Sequence, residues 1–204
     1  MRNPNLISVA IGDLRPTQMT VGMREVQEKQ RRWSQLPPEG RDEFLARHMA
    51  PVIIGPKGRY YLTDHHHLAR ALLEAGCKNL LVNVIADVAH LDNDAFWVFA
   101  DNRAWCHPYD ASGQRLTFKD IPKTIMGLSD DPYRSLAGAL RRAGGYAKEN
   151  TPFSEFIWAD FLRRRIKPRL LENDHDRAVQ KALDLARSHD AKYLPGWCGP
   201  SDDN

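Results

Sequence analysis

Residues 59–72 read Arg-Tyr-Tyr-Leu-Thr-Asp-His-His-His-Leu-Ala-Arg-Ala-Leu, and this stretch decides the fold. Its first part favours a strand, because Tyr60 and Tyr61 are aromatic residues of high strand propensity. Apolar residues then recur at helical spacing from Leu68 onward. We expect Asp64 to cap this helix by accepting amide N–H groups of the first turn. The stretch therefore predicts a strand, a polar turn and a helix.

The polar turn is the candidate functional site, because it joins an acid to three consecutive histidines, His65, His66 and His67. The start of a helix favours anions, and imidazoles that titrate near neutral pH add further donors. Neighbouring helical positions point about 100° apart, so three adjacent histidines do not converge on one zinc ion. The pattern favours phosphate or nucleotide binding over zinc, with a plain run of surface histidines as the structural alternative.

The flanking sequence predicts an α+β fold with two regions. Apolar residues 51–54 and 59–62, separated by Gly55-Pro56-Lys57-Gly58, indicate a hairpin, and residues 80–86 indicate a buried strand. We expect Ser154 to cap a later helix. The prediction is a small mixed-sheet N-terminal domain over residues 1–106, with a mostly helical C-terminal region over residues 107–204 packed on it.

Composition limits the function classes. The chain has 204 residues, 42% of them apolar, and a formal net charge of +3, which by itself does not indicate a nucleic-acid binder. No apolar run is long enough to span a membrane, and residues 1–6 show no signal-peptide pattern. Three widely spaced cysteines form no disulfide framework. We therefore expect a cytoplasmic protein with no membrane partner.

Two further groups of charged residues are candidates. Glu25 could act as a base or a magnesium ligand, although its charged neighbours favour a solvated helix surface. Residues 131–169 carry nine Lys and Arg against four acids. Such a stretch is typical either of phosphate contact or of an exposed helix surface. The candidate contacts are Arg134, Arg141, Arg163 and Arg164.

The chain resembles the ParB/sulfiredoxin superfamily, and most closely its branch called putative ParB-like nucleases. The resemblance covers about residues 8–167. It rests on residues 13–18 with Gly22-Met23-Arg24-Glu25-Val26, on the turn at Asp64-His65-His66-His67, and on residues 131–136, 144–146 and 153–161. The implied fold is the small mixed sheet of that superfamily, with helices after it.

In this superfamily the turn binds a nucleotide phosphate, in CTP-binding partition proteins, ATP-using sulfiredoxins and free-serine kinases. The chain lacks the Gly-Glu-Arg-Arg turn of the partition proteins and the catalytic cysteine of the sulfiredoxins. Asp64, His66 and His67 match the Asp-Gly-His-His-Arg turn of the serine kinases, whereas His65 replaces its Gly and Leu68 its Arg. The resemblance also gives Glu25 a role, because these kinases have an upstream catalytic Glu.

The resemblance thus implies roles for individual residues. Asp64, Glu25 and His66 would be catalytic, and Asp64 or Glu25 would contact magnesium. The phosphate would be bound by Thr63, His65, His66, His67 and Arg70. The implied cofactor is magnesium with ATP, ADP or CTP, and zinc is not expected. The implied partner is a nucleotide or a phosphorylated small molecule, with nucleic acid as a second.

Three functions follow from these observations. The first is a phosphotransferase or a nucleotide or phosphodiester hydrolase acting at the Asp64–His67 turn. The second is a metal-dependent nuclease, although no two-metal carboxylate cluster is visible in the sequence. The third is a non-enzymatic DNA-binding or partition-type protein that uses the basic stretch.

Overall fold

A computed structural model describes residues 6–200. The chain divides into two compact units, Met1–Asp130 and Asp131–Asn204. The α+β prediction is confirmed: the first unit contains a mixed five-stranded sheet, and the second is helical in its described part. The prediction that no signal peptide is present falls mainly on residues 1–5, which lie outside the described residues.

The first unit begins with three short strands and two helices, and its central hairpin follows. The strands are β1 (Leu6–Ala10), β2 (Arg15–Pro16), β3 (Thr20–Val21), β4 (Ala50–Gly55), β5 (Arg59–Leu62), β6 (Asn79–Asp87) and β7 (Ser129–Asp130). The helices are α1 (Met23–Gln35), α2 (Pro38–Arg47), α3 (His66–Glu74) and α4 (Asn93–Asn102). The predicted β4–β5 hairpin is present, and a single 3-10 turn, Pro56–Gly58, connects its strands.

The main sheet has the order β1-β6-β4-β5-β2. Strand β6 runs antiparallel to β1 and parallel to β4, whereas β4 and β5 are antiparallel. Strand β2 adds a short parallel pair to β5, with Arg15 beside Tyr61. This pairing brings the segment after β2 to the end of β5, where the Asp64–His67 turn begins.

Both faces of the sheet are covered at its β4–β5 end. Neighbouring residues of a strand point to opposite faces, and two neighbours in β4 lie in different cores. Val52 packs in a core with α1 and α3, whereas Ile53 packs with Phe96 of α4. Residues Ala69, Ala71 and Leu72 of α3 are fully buried in the first core. Helix α3 is therefore held rigidly under the turn that precedes it.

The segment 107–130 belongs to the first unit, so the compact units divide after Asp130 rather than at the predicted boundary after Cys106. Strand β7 pairs in parallel with β3, and the preceding Ile125 and Leu128 are buried in the core of α1 and α3. These contacts are distant in sequence, so the change of composition after Cys106 did not reveal them.

The second unit is built from helices α5 (Pro132–Arg142), α6 (Ser154–Arg163), α7 (Pro168–Asn173) and α8 (His175–Arg187). Helix α5 packs against α6 and α8, and the core includes Leu136, Trp158 and Phe161. The predicted Ser154 cap is wrong, because Phe153 precedes the helix in the left-handed region at φ +58° and Ser154 is its first residue.

Candidate functional site

The turn between β5 and α3 is shaped by a left-handed residue. His65 has φ +65°, and α3 begins at His66. Asp64 is exposed, and its Oδ1 accepts from the His65 amide at 2.6 Å. The predicted Asp64 cap is wrong, because His65 occupies the cap position and the Asp64 carboxylate binds the next residue instead of the first helical turn.

His66 and His67 are buried and hold a neighbouring loop. His66 Nε2 accepts from the Thr17 amide at 3.2 Å, and His67 Nε2 accepts from the Gly22 amide at 2.9 Å. A ring nitrogen that accepts a hydrogen bond carries no proton. Both rings therefore use Nε2 to fix the ends of segment 17–22, and this segment leads directly into α1.

The loop places Glu25 beside the turn. Glu25 lies in the first turn of α1, and its amide donates to the Gly22 carbonyl at 3.0 Å. Its Oε2 lies 3.8 Å from His67 Nε2, a distance too long for a hydrogen bond. Its Oε1 lies 3.6 Å from Lys29 Nζ. Glu25 is only 8% exposed, and Oε2 accepts no hydrogen bond from the described residues.

Two more buried polar atoms near these groups have no hydrogen-bond partner among the described residues. They are Thr20 Oγ1, two residues before Gly22, and His65 Nδ1 in the turn. Burial lowers the pKa of His65, and the charge of Asp64 opposes this shift only in part. His65 is therefore held toward its neutral form, which has one acceptor nitrogen.

Thr63 and Arg70, two predicted phosphate contacts, have partners inside the first unit. Thr63 Oγ1 donates to the Pro51 carbonyl at 3.2 Å. Arg70 Nη1 donates to the carbonyls of Met126 and Leu128, each at 3.0 Å, and its Nε pairs with Glu74. The guanidinium of Arg70 thus ties segment 125–128 to α3.

The four predicted arginine contacts of the second unit are also paired with acids. Arg134 lies 3.2 Å from Glu155, and Arg141 pairs with the same carboxylate. The other two pairs lie at the far end of α6. Arg163 is 2.6 Å from Asp131, and Arg164 is 2.7 Å from Asp160. The unit has thirteen Lys and Arg against eleven Asp and Glu, a net charge of +2. The four arginines named from the basic stretch therefore all have acidic partners within the second unit.

Sequence reasoning did not single out the roles of Thr17, Thr20 and Gly22. The sequence does show the Gly22-x-x-Glu25 spacing, and the residues just before Gly22 are the place where these roles could have been sought. No sequence pattern indicates that the two imidazoles accept hydrogen bonds from amides 45 and 49 residues away.

The described residues contain no group of three or more His, Cys, Asp or Glu side chains arranged to hold a metal ion. Within residues 6–200, no helix combines the length and apolar character that crossing a bilayer requires.

Comparisons with known proteins identify the family. Among curated proteins, none matches the chain. It is similar to the crystal structure of protein Atu1540 from Agrobacterium tumefaciens, at 51% identity and a TM-score of 0.92, covering 98% of this chain and 99% of that chain. The CTP-gamma-S complex of C-terminally truncated chromosome-partitioning protein ParB from Caulobacter crescentus reaches 14% identity over 91% of this chain and 94% of that chain. Its TM-score of 0.31 is too low to support an inference.

A family model described as "Putative ParB-like nuclease" matches residues 7–164. This match covers most of the first unit and the first part of the second, and it includes the turn, Glu25 and the arginines of α5 and α6. The chain therefore belongs to the ParB-like family that this description names.

Proposed function

We propose that this protein binds a nucleotide or another phosphorylated small molecule at the Asp64–His67 turn and acts on its phosphoryl group, as a cytoplasmic phosphotransferase or hydrolase. The observation that carries the proposal is the buried Glu25 Oε2, which has no hydrogen-bond partner among the described residues. An unsatisfied buried polar group costs about 1–3 kcal/mol, and more when charged. A ligand that donates to this oxygen would remove that cost.

The two sides of the site would have different roles, phosphate binding and proton transfer. The start of α3 offers the positive end of a helix to phosphate, near the left-handed His65. Glu25 would accept a proton from the attacking hydroxyl or water. His66 and His67 are positioning residues in this scheme, because their Nε2 atoms already hold the backbone of the loop that presents Glu25.

The chemistry of the acids fits magnesium bound together with a nucleotide. Magnesium is usually held by one or two carboxylates, with phosphates and water completing its shell. The exposed Asp64 and the unsatisfied Glu25 supply such groups, so a dedicated protein cage is not required. Bound magnesium would neutralise charge that develops on the phosphoryl oxygens.

The proposal is tested by thermal unfolding with ATP, ADP or CTP, each with and without magnesium. Saturation at about 100 times the dissociation constant should stabilise the protein by about 2.7 kcal/mol. Asp64→Ala should abolish the shift. Asp94→Ala is the matched control, because Asp94 is also an exposed acid at the start of a helix. Absence of a shift with every nucleotide would contradict the proposal.

Phosphodiester cleavage is the second candidate, and the family description favours it. The same acids would then act on a nucleic-acid backbone instead of a nucleotide. Plasmid and single-stranded DNA should be cut with magnesium by the wild type, and not by Asp64→Ala or His66→Ala. Cleavage that survives both substitutions would remove the nuclease function from this site.

A further inference from the structure

Arg134 of α5 is a buried guanidinium with unused donors. The residue is 4% exposed, and its Nη2 donates to Glu155 Oε2 at 3.2 Å. Its Cζ lies 3.9 Å from the centroid of the Phe156 ring. Its Nε and Nη1 are buried and have no hydrogen-bond partner among the described residues. A cation–π contact stabilises the charge but leaves these two N–H groups unsatisfied.

The charges around Arg134 do not balance. Glu155 is shared between Arg134 and Arg141, so two guanidinium groups have a single carboxylate between them. At the other end of α6, Arg163 contacts Asp131 and Asp160, and Asp160 is shared with Arg164. The shared Glu155 carboxylate thus offsets only part of the charge of the Arg134 side chain, which is 5% exposed, and Asp131 adds a longer-range attraction. Buried charge without full compensation is strongly unfavourable, and a bound anion would compensate it.

The position of Arg134 on its helix also favours an anion. Arg134 is the third residue of the eleven-residue α5, close to the positive end of the helix dipole. The first-turn amides of Tyr133 and Arg134 are already bonded to Asp131. A ligand would therefore be held by the guanidinium and not by the backbone.

We propose that Arg134 binds a phosphate-type oxyanion through Nε and Nη1, at a site in the second unit. Guanidinium–phosphate hydrogen bonds are charge-assisted and among the strongest in proteins. The structure distinguishes Arg134 from Arg164, whose side chain is 71% exposed and pairs with Asp160. The anion is either inorganic phosphate or the phosphoryl group of a larger molecule. The site does not depend on the function proposed for the Asp64–His67 turn.

The test compares sodium phosphate with sodium chloride at equal ionic strength, with the melting temperature as the readout. Phosphate should stabilise the wild type in a saturable way, and chloride should not. Arg134→Lys keeps the charge but loses the planar set of donors, so its apparent affinity should fall at least about tenfold. Arg164→Lys, the matched control, should respond like the wild type. AMP in place of phosphate, measured in Asp64→Ala so that the proposed nucleotide site does not contribute, shows whether the Arg134 site takes a free or an esterified phosphate.

A second readout uses the wild type alone, so it does not depend on whether a variant folds. The buried Nε–H of Arg134 should give a slowly exchanging NMR resonance in the wild type, and phosphate should move it saturably. A resonance that stays fixed, or equal responses to phosphate and chloride, would overturn the proposal. Asp64→Ala should keep the phosphate response, so failure of the nucleotide proposal and failure of this one are distinguishable.

Discussion

Glu25 and Glu155 lie at similar places in the two units but have different surroundings. Each lies in the first turn of a helix, and their side chains are 10% and 19% exposed. Glu155 contacts the guanidinium groups of Arg134 and Arg141. Glu25 has long contacts to Lys29 and His67, and its Oε2 accepts no hydrogen bond from the described residues. Residue type, helix position and burial therefore do not separate a structural acid from a candidate functional acid, whereas the contacts do.

The largest expected effect is the loss of the Glu155 carboxylate. Glu155→Gln should lower the free energy of unfolding by about 3 kcal/mol, because it leaves the Arg134 charge buried without its acid. Urea denaturation of the wild type and the variant measures this difference.

Glu25→Gln is the matched comparison for that measurement. It removes a buried charge that has no hydrogen bond on Oε2, so unfolding free energy should stay within about 1 kcal/mol of the wild type or rise. Equal losses in the two variants would show that the contrast between the two glutamates has no energetic meaning.

The next effect concerns the histidines that place Glu25. His67→Ala should lower the free energy of unfolding by about 2 kcal/mol, since the buried Gly22 amide loses its acceptor. His67→Gln keeps a side-chain acceptor of similar reach and should recover part of this loss. Chemical denaturation checks the series, and an alanine variant as stable as the wild type would show that the ring does not hold the loop.

The sequence predicted local features well, because they depend on neighbouring residues. The hairpin and the presence of helix α3 followed from turn residues and apolar spacing. The capping errors at Asp64 and Ser154 have one cause, a left-handed bulky residue before the helix, at His65 and at Phe153. Such backbone conformations are uncommon for non-glycine residues, so composition does not indicate them.

Long-range pairing marks the limit of sequence reasoning at the site. Arg70 looked like a phosphate ligand, yet it binds carbonyls more than fifty residues away. The acids that neutralise Arg163 are Asp131 and Asp160, and only Asp160 is a neighbour on the same helix. Which polar atoms remain unpaired depends on the fold, so the sequence named Glu25 and Arg134 as candidates but could not separate them from Arg70.

A smaller effect is expected from the backbone at His65. The left-handed conformation at φ +65° strains an L residue by about 1 kcal/mol relative to glycine. His65→Gly should therefore be about 1 kcal/mol more stable than His65→Ala, which loses the same ring but keeps the strain. Thermal unfolding of the two variants measures the difference, and an alanine variant equal to or more stable than the glycine variant would contradict it.

The smallest expected effect is a pH dependence from the same residue. The folded pKa of His65 is lowered, mainly by burial, so the unfolded chain binds this proton more readily. The corresponding stability is present above the unfolded pKa of about 6.5 and is lost as the pH falls toward the folded value. His65→Asn, which tolerates the left-handed region, should lose less stability than the wild type between pH 7.5 and pH 5. Parallel pH profiles of the two proteins would exclude this contribution.

The most direct test measures unfolding free energy and nucleotide binding together in the wild type and Glu25→Gln. If Glu25 Oε2 is left unpaired for a ligand, the variant should be as stable as the wild type or more stable without ligand. It should also lose the stabilisation that magnesium and a nucleotide give the wild type. A variant that is destabilised without ligand, and still responds to the nucleotide like the wild type, would contradict this function for Glu25.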